Sequence, residues 1–290
     1  MARRKGKSSS LPLPVLGLLL AFCFVVYIFD AMDNPNVPVV VSGTVAVHFI
    51  DVGQGDSVLI TTDSGAMLID TGEGEYAQTV IEYVRAQGVT ALMYAVATHP
   101  HSDHMGGMAK VIDAIPIDEF LAPDVTHTTN AFERMLDALE ARECGITTPG
   151  TGEKFTLGEA VFTVIAPANP SENDLNNASL VLRMDYGGTS FLFTGDAESA
   201  SEKEMLASGR DLDCDVLKVG HHGSNTSSSK AFLAAVSPDV AVISCGAGNS
   251  YGHPHTEAVA RLQAVGADIL RTDLEGTIVL VTDGEHITQQ

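Results

Sequence analysis

Seven of the ten histidines in this chain fall into three short clusters, and each cluster stands at the end of an apolar, strand-like run. His99, His101 and His104 follow Ala91–Ala97, His221 and His222 follow Asp215–Val219, and His253 and His255 follow Val240–Ser244. Loops at strand ends hold polar groups in fixed geometry, so this placement marks a site assembled on a rigid β-scaffold. His48, His127 and His286 are scattered, with His127 in an expected surface loop.

The first cluster reads His99-Pro100-His101-Ser102-Asp103-His104. Histidines at i and i+2 of an extended chain point to one side, so both imidazoles reach a single metal ion. Where the chain then turns into a helix near Gly106, Asp103 and His104 face a second ion beside the first. Imidazole with carboxylate suits zinc, iron or manganese. Asp103 is also placed to orient a metal-bound water or to take its proton.

Strand-like runs at Val45–Ile50, Ser57–Thr62 and Ala66–Asp70 are divided by Gly and Asp turns. Helical periodicity covers Tyr76–Gln87, stopping at Gly88, then Gly107–Asp113 and Asn130–Arg142. Strands follow at Ala160–Ala166, Leu180–Asp185 and Phe191–Thr194, and helices at Glu198–Ala207, Ser229–Val236 and Thr256–Val265. The last strands are expected near Ile269–Leu270 and Thr277–Val281. Two β-rich segments, each followed by helices, predict two sheets packed face to face with helices outside. Gly72-Glu73-Gly74-Glu75-Tyr76-Ala77 has the outline of a dinucleotide turn. Its two glutamates would face the pyrophosphate, so it reads as the turn after Asp70.

The formal charge of −21 excludes a protein that coats nucleic acid or anionic membrane by bulk electrostatics. That charge is uneven. Arg3, Arg4, Lys5 and Lys7 stand in residues 1–10 without an acid, which leaves −25 for the rest. Leu11 to Phe29 is then free of charge, long enough at ~1.5 Å per residue to span a hydrocarbon core of about 30 Å. The expected organisation is a basic cytoplasmic segment over 1–10, a single transmembrane anchor over 11–29 and everything beyond it outside the cell. A cleaved signal peptide is the alternative. Pro35 and Pro38 make 30–43 an extended linker, and 44–290 is expected to form one large domain. Cys144, Cys214 and Cys245 are odd in number and lack C-x-x-C spacing, so free thiols are expected.

The H-x-H-x-D-H cluster resembles the signature of the metallo-β-lactamase fold superfamily. HFIDVGQGDS at His48–Ser57, LIDTG at Leu68–Gly72, FTGD at Phe193–Asp196, LKVGHHGS at Leu217–Ser224 and YGHP at Tyr251–Pro254 occur in that order. Together they resemble the metallohydrolase domain of ComEC-type competence proteins, over residues 44–283.

The resemblance implies an α/β fold, a four-layer αββα sandwich, with one or two divalent ions, Zn²⁺ or Mn²⁺, as cofactor. It makes Asp196 the carboxylate that bridges two ions, beside the ligands His99, His101, Asp103 and His104. Either His221 or His222 is then the late histidine ligand. His221 is preferred as nearest the strand end, and His222 is left to meet substrate. Asp70 is expected to brace the site through hydrogen bonds. Asp51 and Asp56 line the adjacent loop, with Gln54 reaching water or substrate; turn chemistry alone is the other reading of these loop residues. Lys218 and His253 are expected to neutralise charge developing on a phosphoryl oxygen, and Ser224 to join in substrate binding. Many two-ion members carry one more histidine ligand before the bridging aspartate. Asn176-Asn177-Ala178-Ser179 occupies that place here, which offers Asn177 as a weak oxygen ligand and leaves manganese open beside zinc.

These readings predict an exported, membrane-anchored phosphodiesterase, a nuclease degrading extracellular DNA through a metal-bound hydroxide. Hydrolysis of another cell-envelope ester, a phosphocholine or wall phosphodiester, is a competing expectation. A low-turnover component of a DNA-uptake apparatus is the other.

Overall fold

Short strands that carry apolar side chains on both faces are stable only between two covering layers. The computed structural model, which describes residues 42–290, is built on such strands. The first half of the chain forms β1 (Val45–Phe49), β2 (Val58–Thr62), β3 (Gly65–Ile69), α1 (Ala77–Ala86) and β4 (Leu92–Val96). It continues through α2 (Ser102–Met105), α3 (Met108–Ala114), β5 (Ile117–Leu121), α4 (Asn130–Ala141) and β6 (Ile146–Thr147). The second half supplies β7 (Lys154–Leu157), β8 (Ala160–Ala166), β9 (Val181–Tyr186), β10 (Thr189–Phe193), α5 (Ser199–Ala207) and β11 (Val216–Lys218). Then come α6 (Lys230–Val236), β12 (Val240–Ile243), α7 (Thr256–Val265), β13 (Asp268–Arg271), α8 (Thr272–Glu275), β14 (Ile278–Thr282) and β15 (Ile287–Gln289).

One sheet runs β15-β14-β1-β2-β3-β4-β5-β6 and the other β13-β12-β11-β10-β9-β8-β7. Period-2 alternation sorts their side chains. Val45, Val47 and Phe49 of β1 and Val58 and Ile60 of β2 meet Phe162, Val164, Phe191 and Phe193 in a core shared by both sheets. The intervening Leu59, Leu68 and Ala95 pack on α1, α3 and α4. Leu192, Leu217 and Ile243 pack on α5, α6 and α7 in the same way. The result is an αββα sandwich, the expected fold.

Each sheet is antiparallel on one side and parallel on the other, and this is what builds the site. β3, β4 and β5 run parallel, so Asp70 and Thr98 emerge at one edge. β10, β11 and β12 also run parallel and deliver Thr194, Val219 and Ser244 together. A backbone bond from Leu180 N to Thr98 O at 2.8 Å ties the loop before β9 to the end of β4. Two of the three histidine clusters thus follow strand ends directly, and His253 and His255 close the loop that runs from β12 into α7.

The expected basic segment and membrane anchor, with most of the expected linker, lie outside the described residues. Among the described residues no helix is long and apolar enough to cross a membrane. Periodicity does not announce β5, β6, β7, β15 or α8. β6, β7 and β15 are sheet edges, held by backbone pairing with one neighbour rather than by buried side chains.

His48 belongs to this packing and not to the site. Its ring is buried on the helix-facing side of β1, with Nδ1 3.0 Å from the Tyr83 hydroxyl and Nε2 3.5 Å from Thr61 Oγ1. Burial lowers its pKa from 6.5 to about 4, so the folded ring is neutral. The unfolded chain binds the extra proton between those values. Stability is therefore complete above 6.5 and falls as pH drops toward 4, by roughly 3 kcal/mol in the limit. Denaturant unfolding at pH 7 and pH 4.5 measures this. The variant His48→Gln is expected to lose less stability over the interval than the parent, and equal losses would remove His48 from the account.

Candidate metal centre

The centre is built outward from Asp70, which is fully buried at the end of β3 with φ +57. Its Oδ1 accepts from Thr98 N at 2.8 Å, and its Oδ2 accepts from Thr98 Oγ1 at 2.6 Å and faces His104 Nδ1 at 2.8 Å. One carboxylate therefore joins the ends of β3 and β4 to the turn of α2. It also sets the His104 tautomer, with the proton on Nδ1 and Nε2 aimed into the site.

His99 and His101 lie on the extended approach to α2, with His99 Nε2 and His101 Nδ1 2.9 Å apart. His101 is the residue preceding the helical turn that carries Asp103 and His104 inward. Gly55 permits the next loop to close on this turn. At φ +142, a Cβ there would stand 2.2 Å from the Asp103 carbonyl oxygen, to which Asp56 N donates at 3.1 Å. The loop so placed presents the Asp56 carboxylate, Oδ1 of which lies 3.2 Å from His222 Nδ1.

Asp196 follows β10 at 1% exposure and meets ligand atoms from both sheets. His104 Nε2 stands 3.1 Å from its Oδ1, and His222 Nε2 3.6 Å from the same oxygen. Its Oδ2 is 3.7 Å from both His99 Nε2 and His221 Nε2. Two groups of ligand atoms result, each lying within 4.8 Å of one another: His99, His101 and Asp196, and Asp56, His104, Asp196 and His222. Asp103 borders the second group, with Oδ2 3.2 Å from His222 Nε2.

The donor set fits divalent cations. His104 Nε2, His222 Nε2, Asp196 Oδ1 and Asp56 Oδ1 are buried polar atoms without a hydrogen-bond partner, all in the second group. Buried polar atoms are ordinarily paired, and four unpaired ones facing one another mark the place of an ion. Titration points the same way. Burial alone would raise the Asp56 carboxyl, but Lys218 and then His222 outweigh it and hold it at about 2. Asp196 is held well below its ordinary value against burial by His104 and His222. Burial would lower His104, yet Asp196 and Asp70 carry it well above the usual range; Asp196 and Asp56 likewise raise His222 to about 9. His99 and His101 are instead lowered, chiefly by burial, and stay neutral with lone pairs free to coordinate.

The site opens into a cleft of 340 Å³ lined by His101, Asp103, Asp196, His221, His222, His253 and Gln54, among others. His222, at 1% exposure, is the deeper of the late pair and closes the second group, whereas the preferred His221 does not belong to it. The 3₁₀ turn Gly220–Gly223 explains the order: both histidines have left-handed backbones, φ 48 and φ 53, which swings the second inward. His222 Nδ1 donates to Ser244 O at 3.0 Å. His221 instead gives Nδ1 to Glu198 Oε1 at 2.9 Å and lies on the cleft wall.

Three residues, Lys218, Ser224 and Asn177, stand elsewhere than expected, and Asp51 follows the other reading given to it, turn chemistry. Lys218 does not line the cleft; its Nζ is sealed at 1% exposure against Asp56 Oδ2 at 2.8 Å and Val219 O at 2.9 Å. Its ammonium holds Asp56 ionised instead of meeting substrate. Ser224 is buried in a turn with Thr226 Oγ1 at 2.9 Å. Asp51 is exposed and caps Gly53 N at 3.0 Å. Asn177 Oδ1 accepts from Glu198 N and Ser201 N at 3.1 and 3.0 Å, serving the start of α5 and not an ion. Its neighbour Asn176 faces the cleft. His253 lines the cleft but is neutral near pH 7, lowered to about 4 by burial and then by His222 and His221.

Sequence reasoning passed over Glu198, Ser179, His127 and Tyr251. Glu198 stands two residues after Asp196, and that spacing was its one available signal. Ser179 Oγ accepts from Asp196 N at 3.1 Å and lies 3.3 Å from His99 Nδ1, so it links the two. His127, expected in a surface loop, lines the cleft 6.3 Å from His101 between ring centroids.

Comparison with known proteins agrees with this geometry. Residues 50–247 match the family described as the Metallo-beta-lactamase superfamily. ComE operon protein 3 of Bacillus subtilis (strain 168) is 30% identical over 280 residues, covering 90% of this chain and 35% of that protein. Competence protein ComA of Neisseria gonorrhoeae is 38% identical over 236 residues, covering 80% of this chain and 32% of that protein. The chain thus spans about a third of the length of these relatives. Among solved structures, the metallo-beta-lactamase fold protein YhfI from Bacillus subtilis is similar in fold, with a TM-score of 0.54 at 11% identity over 82% of this chain and 99% of that one. With the family matched over most of its length and two His/Asp groups meeting at Asp196, the chain belongs to the metallo-β-lactamase superfamily of metal-dependent hydrolases, among relatives of the ComEC-like competence proteins.

Proposed function

We propose that this chain is a two-ion phosphodiesterase that cleaves DNA. The observation that carries the reading is Asp196, a single buried carboxylate offering one oxygen to each of two neighbouring ligand groups. His99 and His101 would hold one ion with Asp196, and His104 and His222 the other, with Asp56 and Asp103 beside it. Zinc and manganese both suit this set. The ions, when bound, supply Lewis acidity and make water a nucleophile at neutral pH, the pairing that in-line phosphoryl displacement uses. DNA as substrate is supported by the relatives named as competence proteins. On this reading the domain serves DNA uptake, and Leu11 to Phe29 holds it on the outer side of a membrane.

The chain's own residues complete the chemistry. The Asp103 carboxyl is held well below its usual range: burial raises it, but His222 and then His104 prevail, so it is ionised and can accept a hydrogen bond from attacking water and orient it. Gln54 Oε1 accepts from Gly246 N at 3.2 Å, which turns its amide nitrogen toward His253 Nδ1 at 3.5 Å. His253 therefore carries its proton on Nε2, free to donate to a phosphoryl oxygen without a positive charge. Of the two residues expected to meet the phosphoryl oxygen, His253 keeps that part and Lys218 does not.

Metal content and turnover test these roles separately. Asp196→Ala is expected to lose bound Mn²⁺ or Zn²⁺ from both groups and His101→Ala from one, as read by metal analysis after desalting; full retention in Asp196→Ala would sink the shared-ligand assignment. DNA cleavage is expected to fall at least about 100-fold in Asp103→Ala and His253→Ala with metal content unchanged in His253→Ala. Turnover of a bis-aryl phosphodiester with intact DNA at every metal condition would move the function to another envelope ester. Protection of the domain from protease added to intact cells would contradict the outer location.

A further inference from the structure

Tyr251 stands on the rim of the cleft with 65% of its surface exposed. Its ring lies nearly parallel to that of His253, with centroids 5.7 Å apart and planes inclined by 21°. His253 in turn lies 6.1 Å from His222. A file of rings therefore leads from the buried ligand group to the surface.

The loop that carries Tyr251 is fixed by one amide. The Asn249 side chain donates to Gly246 O at 2.9 Å and His253 O at 2.6 Å. It accepts from Tyr251 N at 3.1 Å and His253 N at 3.0 Å. A large aromatic ring is thus held in water in a set orientation at the mouth of the site. Exposed tyrosine of this kind offers a rigid contact face at little entropic cost to binding.

The cleft gives a polyanion no other protein handle of comparable size. No lysine or arginine among the described residues lines it, and Lys218 is sealed against Asp56. With no lysine or arginine to grip phosphates flanking the scissile bond, affinity beyond what the metal ions supply is left to the bases. Aromatic side chains stack on bases of any identity, because every base has a π-face. Bases inside a duplex already stack on both faces, and using one would require extruding it.

Building on the nuclease reading above, we infer that Tyr251 is the stacking platform for an unpaired base beside the scissile phosphate, so that the site takes single-stranded nucleic acid in preference to duplex. Tyr251 is a specificity residue here and takes no part in the displacement at phosphorus.

The test uses the full chain with Mn²⁺, the variants Tyr251→Ala and Tyr251→Phe, and two oligonucleotides: a single strand, and the same strand with abasic residues in place of its bases. Tyr251→Ala is expected to raise KM for the single strand on the order of tenfold, with kcat within about twofold. Tyr251→Phe is expected to keep the parent KM, since the ring face and not the hydroxyl makes the contact. On the abasic strand the parent and Tyr251→Ala are expected to coincide. An unchanged KM in Tyr251→Ala, with the parent cleaving normally, would overturn the stacking role and leave the nuclease reading intact. Equal loss in Tyr251→Phe would do the same. Failure of the parent to cleave either strand while it turns over a bis-aryl phosphodiester would instead refute the nuclease reading, and the stacking role with it.

Discussion

The structure depends on how it accommodates three carboxylates inside protein. Asp56, Asp70 and Asp196 are each 3% exposed or less, and removing an ion from water costs several kcal/mol even after relaxation. Asp70 is met by two bonds from Thr98 and one from His104, which fixes the end of β4. Asp56 is met by Lys218, which draws that strand residue inward and away from the cleft. Asp196 Oδ1, like Asp56 Oδ1, has ring nitrogens nearby and no aligned donor. The deficit of positive charge is therefore concentrated at these two oxygens, between the two sheets. A cation placed there satisfies what the protein's own donors leave open.

Such a centre also requires backbone that the chain would not adopt freely. Asp70, His221 and His222 all lie in the left-handed region without being glycine, a conformation costing on the order of 1–3 kcal/mol each. Each is held by bonds from outside its own segment. His221 N donates to Gly195 O, Ser227 Oγ to Gly220 O, and His222 Nδ1 to Ser244 O. The ends of β10, β11 and β12 thereby fix one another. Rigidity at the ligands comes from the parallel registers behind them, which places the chemistry and the fold on the same strands.

Much of this was legible in the residue pattern. Period-2 apolar runs disclosed the strands buried on both faces, and the H-x-H-x-D-H spacing brought His99 to His104 together before any coordinates. What the pattern hid follows from physics that a linear reading does not carry. His221 and His222 are adjacent, and only the two left-handed residues of the turn decide which one points inward. Lys218 looked available to phosphate because strand alternation names a face but not the partner waiting on it, and that partner is Asp56 from the other sheet. Asn177 looked like a ligand by position, whereas the unpaired N–H groups opening α5 claim its oxygen first. Edge strands such as β6 have no apolar signature to read, because backbone pairing alone makes them.

The burial of Lys218 bears on the problem raised by the chain's net charge of −21. A protein so acidic repels a polyanion at long range, but this repulsion is screened within about 8 Å at physiological ionic strength. Inside the cleft the balance is set locally. Among the described residues lining it, His101 and His253 are neutral and His222 is engaged as a ligand, the nearby Lys218 ammonium is spent on Asp56, and the carboxylates are directed at the ion positions. Side-chain cations in the cleft would bind phosphate whether or not the metals were in place. On the proposed nuclease reading the positive charge is left to the ions themselves, so that recognition of phosphate and the power to hydrolyse it would reside in the same atoms.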